Sequence, residues 1–204
     1  HGRARQNHAR CGDVPLADSA DCMLVQRRCF LARALAGAGL LTLSPQLALA
    51  TPGLLIANVT GLYSVMVAKA VAPSSMAQLA QEVRQWPGQV AVGGGRYSMG
   101  GQIACAGGLH LDMREMRQLV WLDANARTVR VQAGMTWRDL QERIDPLGLA
   151  VMTMQSFANF TIGGSVAVNA HGRYVGNGPL GHSVRALQIV LADGAVVEAT
   201  RTRN

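Results

Sequence analysis

Two glycine-rich stretches carry the residues best suited to chemistry. The first reads Val92-Gly93-Gly94-Gly95-Arg96-Tyr97-Ser98-Met99-Gly100-Gly101-Gln102. Consecutive glycines directly after a strand-like piece reach backbone conformations closed to other residues. They can turn several N–H groups toward one point, and such a nest holds a phosphate or diphosphate without a lysine. Spacing excludes two familiar phosphate loops. Counting from Gly93, Ser98 stands where the dinucleotide fingerprint needs its last glycine, and the six-residue frame Gly95 to Gly100 is followed by Gly101-Gln102 rather than Lys-Ser/Thr. Taken alone, the stretch also reads as a flexible surface loop.

The second stretch reads Gln155-Ser156-Phe157-Ala158-Asn159-Phe160-Thr161-Ile162-Gly163-Gly164-Ser165-Val166-Ala167-Val168-Asn169-Ala170-His171-Gly172. Gly163-Gly164 permits close approach of backbone to a ligand. A short helix over 165–170 would then present N-terminal amides that favour an anion. Ser156, Thr161 and Ser165 add hydroxyl donors, and Asn169 and His171 have the groups to hydrogen-bond a heterocycle. A histidine standing alone is more often structural than functional.

These stretches must be positioned by the elements around them. Residues 69–72 read as a strand stopped by Pro73. Ser74 and Ser75 offer N-cap oxygens to a helix in which Met76, Leu79, Ala80 and Val83 recur at helical spacing up to Trp86. Pro87-Gly88 ends it, and 89–92 is strand-like, leading into the loop over 93–101. Further short strands are expected over 109–113, 120–122 and 128–132. Thr136 caps a helix carrying Leu140 and Ile144, ended by Asp145-Pro146 and Gly148. Strands over 187–191 and 195–198 flank Asp193-Gly194, a strong hairpin signal. The class is α+β, without an internal repeat.

Composition narrows the function classes. The chain has 204 residues, of which 49% are hydrophobic, 15% charged and 4% aromatic, with 23 glycines and a formal net charge of +7. High apolar content and low charge argue against disorder in the bulk of the chain, and glycine without a triplet period excludes a collagen-like chain. Residues 1–50 hold six Arg and three Asp, so a disproportionate share of the charge sits in this first quarter. The remaining basic residues form no run and are not interleaved with aromatics, so no nucleic-acid partner is expected.

The first 50 residues read as targeting. Residues 1–22 have no helical or strand period and precede Met23, which marks them as an upstream or disordered extension. From Met23, Arg27-Arg28-Cys29-Phe30-Leu31 leads an apolar run over 34–43 and the small-residue end Ala48-Leu49-Ala50. A basic start, an apolar centre and an A-x-A end make a secretory signal over 23–50, and the paired arginines are similar to a twin-arginine export signal. Export to a bacterial periplasm is the expectation, leaving 51–204 as the folded domain. An uncleaved anchor, which would be the chain's one membrane contact, and a buried N-terminal helix are the alternatives. Three of the four cysteines lie before residue 30, which leaves Cys105 as a packed thiol with no intramolecular partner in the remainder. No C-x-x-C or His/Cys cluster suggests a metal.

Together the two glycine-rich stretches resemble the FAD-binding, PCMH-type domain of the vanillyl-alcohol oxidase superfamily, in the branch of sugar-lactone and alditol oxidases. The resemblance runs from about residue 65 to residue 200, and the paired motifs in this order are more specific than either alone. It implies two α/β subdomains clasping FAD. It places Gly93, Gly94, Gly95, Arg96, Tyr97 and Ser98, with Gly101 and Gln102, around the FAD diphosphate. Ser156, Thr161, Ile162, Gly163, Gly164 and Ser165 line the other side, and Asn169, His171 and Gly172 approach the flavin. The hairpin at Asp193-Gly194 belongs to the second lobe.

Two departures bear on the cofactor. Many relatives have at the position of Tyr97 a histidine that bonds covalently to the flavin, and tyrosine, with a pKa near 10, is a far poorer nucleophile at neutral pH. The stretch 155–161 also lacks the cysteine of doubly linked relatives. Non-covalent FAD is therefore expected. The resemblance implies oxidation of a hydroxyl-bearing small molecule by hydride transfer to flavin N5, with oxygen or another acceptor reoxidising the flavin. The catalytic base and substrate cap of such enzymes come from sequence beyond the FAD domain, so no catalytic residue is assigned. The chain is expected to be an FAD-binding portion, inactive alone.

Several residues have plainer readings. Trp137 is expected to pack in a core, and Met113, Met116, Met152 and Met154 to fill apolar gaps. Asp112, Glu115, Asp139 and Glu142 form no obvious carboxylate pair. Arg173-Tyr174 is balanced between a cofactor contact and a solvated surface.

Overall fold

A computed structural model describes residues 53–203, so the extension over 1–22 and the export signal over 23–50 lie outside the described residues. The first elements are β1 (Leu54–Ala57) and β2 (Ser64–Val67), antiparallel in register from Leu54↔Val67 to Ala57↔Ser64. Neither was anticipated, because the apolar run Leu54-Leu55-Ile56-Ala57 has neither helical nor alternating period. Burial of Ile56 and Val67 against Ile103 holds this hairpin down.

The parallel sheet consists of β3 (Lys69–Val71), β4 (Val90–Gly93) and β5 (Leu109–Asp112), in the order β3-β5-β4. All four residues of β5 are buried, as a central strand covered on both faces requires. Helix α1 (Met76–Gln85) connects β3 to β4. Ser75 caps it, its Oγ accepting from Gln78 N at 3.2 Å, whereas the Ser74 backbone N–H donates to the Gln78 side chain. Leu79 from α1 packs on Leu109, Leu111, Met113 and Met116. The strand expected to reach Met113 stops at Asp112, whose carboxylate accepts from Arg114 N and caps a 3-10 turn at Met113–Glu115.

The expected strand pair after Met116 is present as β6 (Leu119–Asp123) and β7 (Thr128–Val131). Helix α2 (Trp137–Ile144) follows, with a complete capping box between Thr136 and Asp139. Its buried Trp137, Leu140 and Ile144 join Met135 and Leu180 in a second core, to which Met154 adds a partly buried side chain. Met152 is 55% exposed and fills no gap. The closing hairpin is β8 (Ala186–Val190) and β9 (Val196–Thr200). Gly194 takes φ +79° in its turn, and the α1 residue Arg84 donates Nε to Asp193 O at 3.2 Å.

One element is displaced from its expected place. The helix expected over 165–170 is α3 (Ile162–Ala167), with Thr161 at its N-cap position but making no side-chain cap bond. Gly163-Gly164 reads as a helix breaker. Here the glycines bring the helix start against the chain before α2, where a Cβ on Gly163 would sit 2.7 Å from Ala133 Cβ. Asn169, in the left-handed region at φ +46°, lies just past the helix end.

Candidate functional site

The chain leaves β4 at Gly93 and returns in β5, and the intervening residues 94–108 form no strand. The tip of this excursion packs against the second glycine-rich segment. A Cβ on Gly94 would overlap Thr161 Oγ1, and one on Gly95 would meet the Tyr97 ring at 2.8 Å and Asn159 O at 3.4 Å. Tyr97 packs edge-on against Phe157 and Phe160 at ring centroid distances of 5.2 and 5.1 Å. Phe157 and Phe160 are themselves 5.2 Å apart, which completes an aromatic triangle. Segments widely separated in sequence thus form one surface, and the glycines are what permits the approach.

Within the described residues, the backbone N–H groups of Gly94, Gly95, Arg96, Tyr97 and Ser98 make no hydrogen bond. Arg96 adopts φ +61°, a conformation uncommon for a non-glycine residue. Three contacts hold this run. Arg96 O accepts from Val59 N at 3.0 Å, Ser98 O accepts from Asn58 Nδ2 at 2.9 Å, and Arg96 Nη2 donates to Asp112 Oδ2 at 2.8 Å. Arg96 Nε is buried and has no partner among the described residues. Unengaged amides beside a cationic side chain fit a diphosphate.

Asp112 anchors the charge of this corner. Arg114 grips it through Nε on Oδ1 at 2.8 Å and Nη2 on Oδ2 at 2.5 Å, the same oxygen that accepts from Arg96. Burial pushes the Asp112 carboxyl up, but the hydrogen bonds and charge of Arg114, with the charge of Arg96, outweigh it and hold the group below the usual carboxylate range. The Asp112 hydrogen bond raises Arg114 in turn. His110, two residues before Asp112 on β5, is fully buried directly beneath Gly93, where a Cβ would sit 2.6 Å from His110 Cε1. Its Nδ1–H donates to Ile103 O at 2.8 Å, and its Nε2 has no partner among the described residues. Burial lowers the His110 pKa, so its ring is neutral at pH 7.

The second segment is more committed to the fold than its residue types suggest. The helix amides expected to meet an anion are in part engaged: Ile162 N donates to Met135 O and Gly163 N to Ala133 O, each at 2.8 Å. Ser165 is buried, its Oγ accepting from Trp137 Nε1 at 2.9 Å and lying 2.5 Å from Gln155 Oε1 and 3.0 Å from Thr161 O. That hydroxyl and Trp137 are therefore internal packing. Asn169 Oδ1 accepts from Gly181 N at 2.9 Å, so its carbonyl is turned to the fold rather than to a heterocycle. Ser156, Gly164 and His171 are exposed, and a Cβ on Gly172 would lie 2.5 Å from Met154 O. Gln102 Oε1 accepts from Gly100 N at 3.0 Å and closes the end of the first loop beside Gly101 at φ +74°. Arg173 and Tyr174 are both exposed.

The sequence reading missed Asn58, His110, Asp112 and Arg114, which carry no motif of their own. A cleft of about 640 Å³ lies between α1 and β8, with Leu79, Val83, Trp86 and Ile189 in its wall and Val92 and Gly163 at its border with the two glycine-rich segments. It excludes residues 94–98 and offers little polar chemistry.

A family described as "FAD binding domain" matches residues 67–200. The mouse (Mus musculus) L-gulonolactone oxidase is 32% identical over 121 residues, covering 59% of this chain and 27% of that protein. The alditol oxidase of a Streptomyces species is 42% identical over 76 residues, covering 37% of this chain and 18% of that protein. The chain thus spans about a quarter or less of these relatives. Among solved structures, 6-hydroxy-D-nicotine oxidase from Arthrobacter nicotinovorans superimposes with a TM-score of 0.59 at 21% identity, covering 65% of this chain and 30% of that one. That likeness supports the PCMH-type fold. With two glycine-bearing segments interlocked around unengaged amides, and with the family match spanning both, the chain belongs to the FAD-binding domain family.

Proposed function

We propose that this chain is the FAD-binding portion of an oxidoreductase acting on a hydroxyl-bearing small molecule of the sugar-lactone or alditol type. The observation that carries the reading is the run of N–H groups from Gly94 to Ser98, unengaged among the described residues and carrying the Arg96 side chain at its middle. In this reading those amides, with Arg96, hold the FAD diphosphate. Gly93, Gly101 and Gln102 shape the ends of the loop. Thr161 and Gly164 close the opposite wall, with Ile162, Gly163 and Ser165 serving as its frame. Ser156, His171 and Gly172 face the flavin end, and Asn169 sets the turn that presents them. When bound, FAD would supply a hydride acceptor for oxidation of a substrate hydroxyl carbon and a route for the electrons to oxygen or another acceptor. The names of the relatives support the substrate class, since L-gulonolactone oxidase and alditol oxidase are among them.

The cofactor is held without a covalent bond in this reading, because Tyr97 replaces the linking histidine and turns its ring into the Phe157–Phe160 pair. Purified protein incubated with FAD should retain a flavin spectrum after gel filtration and lose it to the supernatant on acid precipitation. Well-folded protein that takes up no FAD would refute the cofactor role of these segments, and a yellow acid pellet would refute non-covalent attachment.

The leader around Arg27-Arg28 supports export of residues 51–204 as a folded domain. Replacing both arginines by lysine should leave the protein in the cytoplasm of a bacterial host. Unchanged periplasmic recovery would count against the twin-arginine route.

A further inference from the structure

We propose that Asn58 is a positioning residue: through its side-chain amide, the β1–β2 hairpin holds the glycine-rich loop in its FAD-binding shape. The inference rests on the cofactor role proposed above for that loop. Residues 53–68 lie before or at the very start of the stretch 67–200 matched by the FAD-binding family, yet they supply much of what fixes the excursion between β4 and β5. At the near end, Val59 N donates to Arg96 O at 3.0 Å and Asn58 Nδ2 donates to Ser98 O at 2.9 Å. In the middle, Ile56 and Val67 bury Ile103. At the far end, Gly107 N donates to Met66 O and Ala68 N donates to Gly108 O, each at 3.0 Å. An irregular excursion of this length has little ladder bonding of its own, so its shape depends on such external contacts.

Asn58 is the one side chain in this set that bonds the loop tip. It is 7% exposed, and its orientation follows from its partners. Ser98 O can only accept, so the amide nitrogen must face it. The amide oxygen then accepts from Thr60 Oγ1 at 2.9 Å. Both ends of the amide are therefore engaged, and a residue unable to donate at this point leaves a partly buried carbonyl unpaired. The bond lands on the peptide oxygen of Ser98, two residues beyond the left-handed Arg96. Losing it frees the run whose amides are assigned to the diphosphate.

The test compares wild type, Asn58→Ala and Asn58→Asp on two readouts. The first is the rate of limited trypsin cleavage after Arg96, resolved by mass spectrometry, with cleavage after the exposed turn residue Arg127 as the internal control. The second is the dissociation constant for FAD from flavin fluorescence. Asn58→Ala should raise cleavage after Arg96 severalfold, leave Arg127 unchanged, and weaken FAD binding about tenfold, the scale of one buried hydrogen bond. Asn58→Asp keeps the size of the side chain but cannot donate when ionised. It should match the alanine variant at pH 8, compared with wild type at the same pH. Wild-type cleavage after Arg96 in both variants would overturn the proposal, as would a parallel rise at Arg127, the mark of global loosening. If wild type itself takes up no FAD while Asn58→Ala still accelerates cleavage after Arg96, the hairpin positions the loop but the loop's cofactor role fails.

Discussion

Gly94 sets how closely the two glycine-bearing segments approach. Its missing Cβ is replaced by Thr161, whose Oγ1 would overlap it and whose Cβ and Cγ2 lie 3.2 and 3.4 Å away. Gly94→Ala should therefore destabilise the domain by about 1–3 kcal/mol, the usual cost of overpacking. Combining it with Thr161→Ala, which removes Oγ1 and Cγ2, should recover part of that loss. Urea denaturation of the two single variants and the double variant measures the coupling, expected at about 0.5–3 kcal/mol. Strict additivity would show that the two segments are not in contact. Residue type made Gly94, Arg96 and Thr161 visible in the sequence as candidates. Their partners were not visible: nothing near Arg96 points to Asp112, because the pairing arises only where β4 and β5 lie side by side.

At the scale of elements, local signals were strongest where the chain satisfies its own end groups. Thr136 and Asp139 form a capping box within four residues, so α2 was legible from sequence. Thr136→Ala removes one half of that box. It should cost about 1 kcal/mol of unfolding free energy, read from a shifted urea midpoint at unchanged m-value, and an unchanged midpoint would show that tertiary packing alone holds α2. The displacement of α3 has the opposite origin. Thr161 makes no side-chain cap bond, and the first amides of the helix are satisfied by Met135 O and Ala133 O from another element. A helix started by a turn distant in the chain has no local signature. The β1–β2 hairpin was hidden for a related reason, since its burial depends on Ile103 across the fold.

For the whole molecule, the buried charges under the loop tie stability to pH. The His110 pKa lies below its ordinary value of 6.5, primarily through burial. A lowered folded-state value means that the unfolded chain binds the proton first. The contribution of His110 is therefore intact above pH 6.5 and lost as pH falls from there toward the folded value. Asp112, also lowered, acts in a later window, its contribution being present above the ordinary carboxylate range and lost below it. Unfolding free energy should fall as pH drops below 6.5, with a slope of at most about 1.4 kcal/mol per pH unit. His110→Leu should flatten that slope while leaving the steeper acid loss near Asp112. Identical slopes for variant and wild type would remove His110 as the source.

The sequence by itself determined the class of the fold, the glycine-rich segments and, through their resemblance, the cofactor family. Those properties depend on residue type and short-range spacing: glycine for close approach, apolar period for helices, Asp-Gly for the last turn. Only the tertiary structure decided which groups remain free to bind. It committed Ser165 to Trp137 and Gln155, turned Asn169 to Gly181, and left the Gly94–Ser98 amides unengaged within the described residues. It also brought in Asn58, His110, Asp112 and Arg114 as the supports of that loop. The physical reason is that a hydrogen-bonding group has one set of partners, and when those partners are distant in the chain only the packed fold selects them.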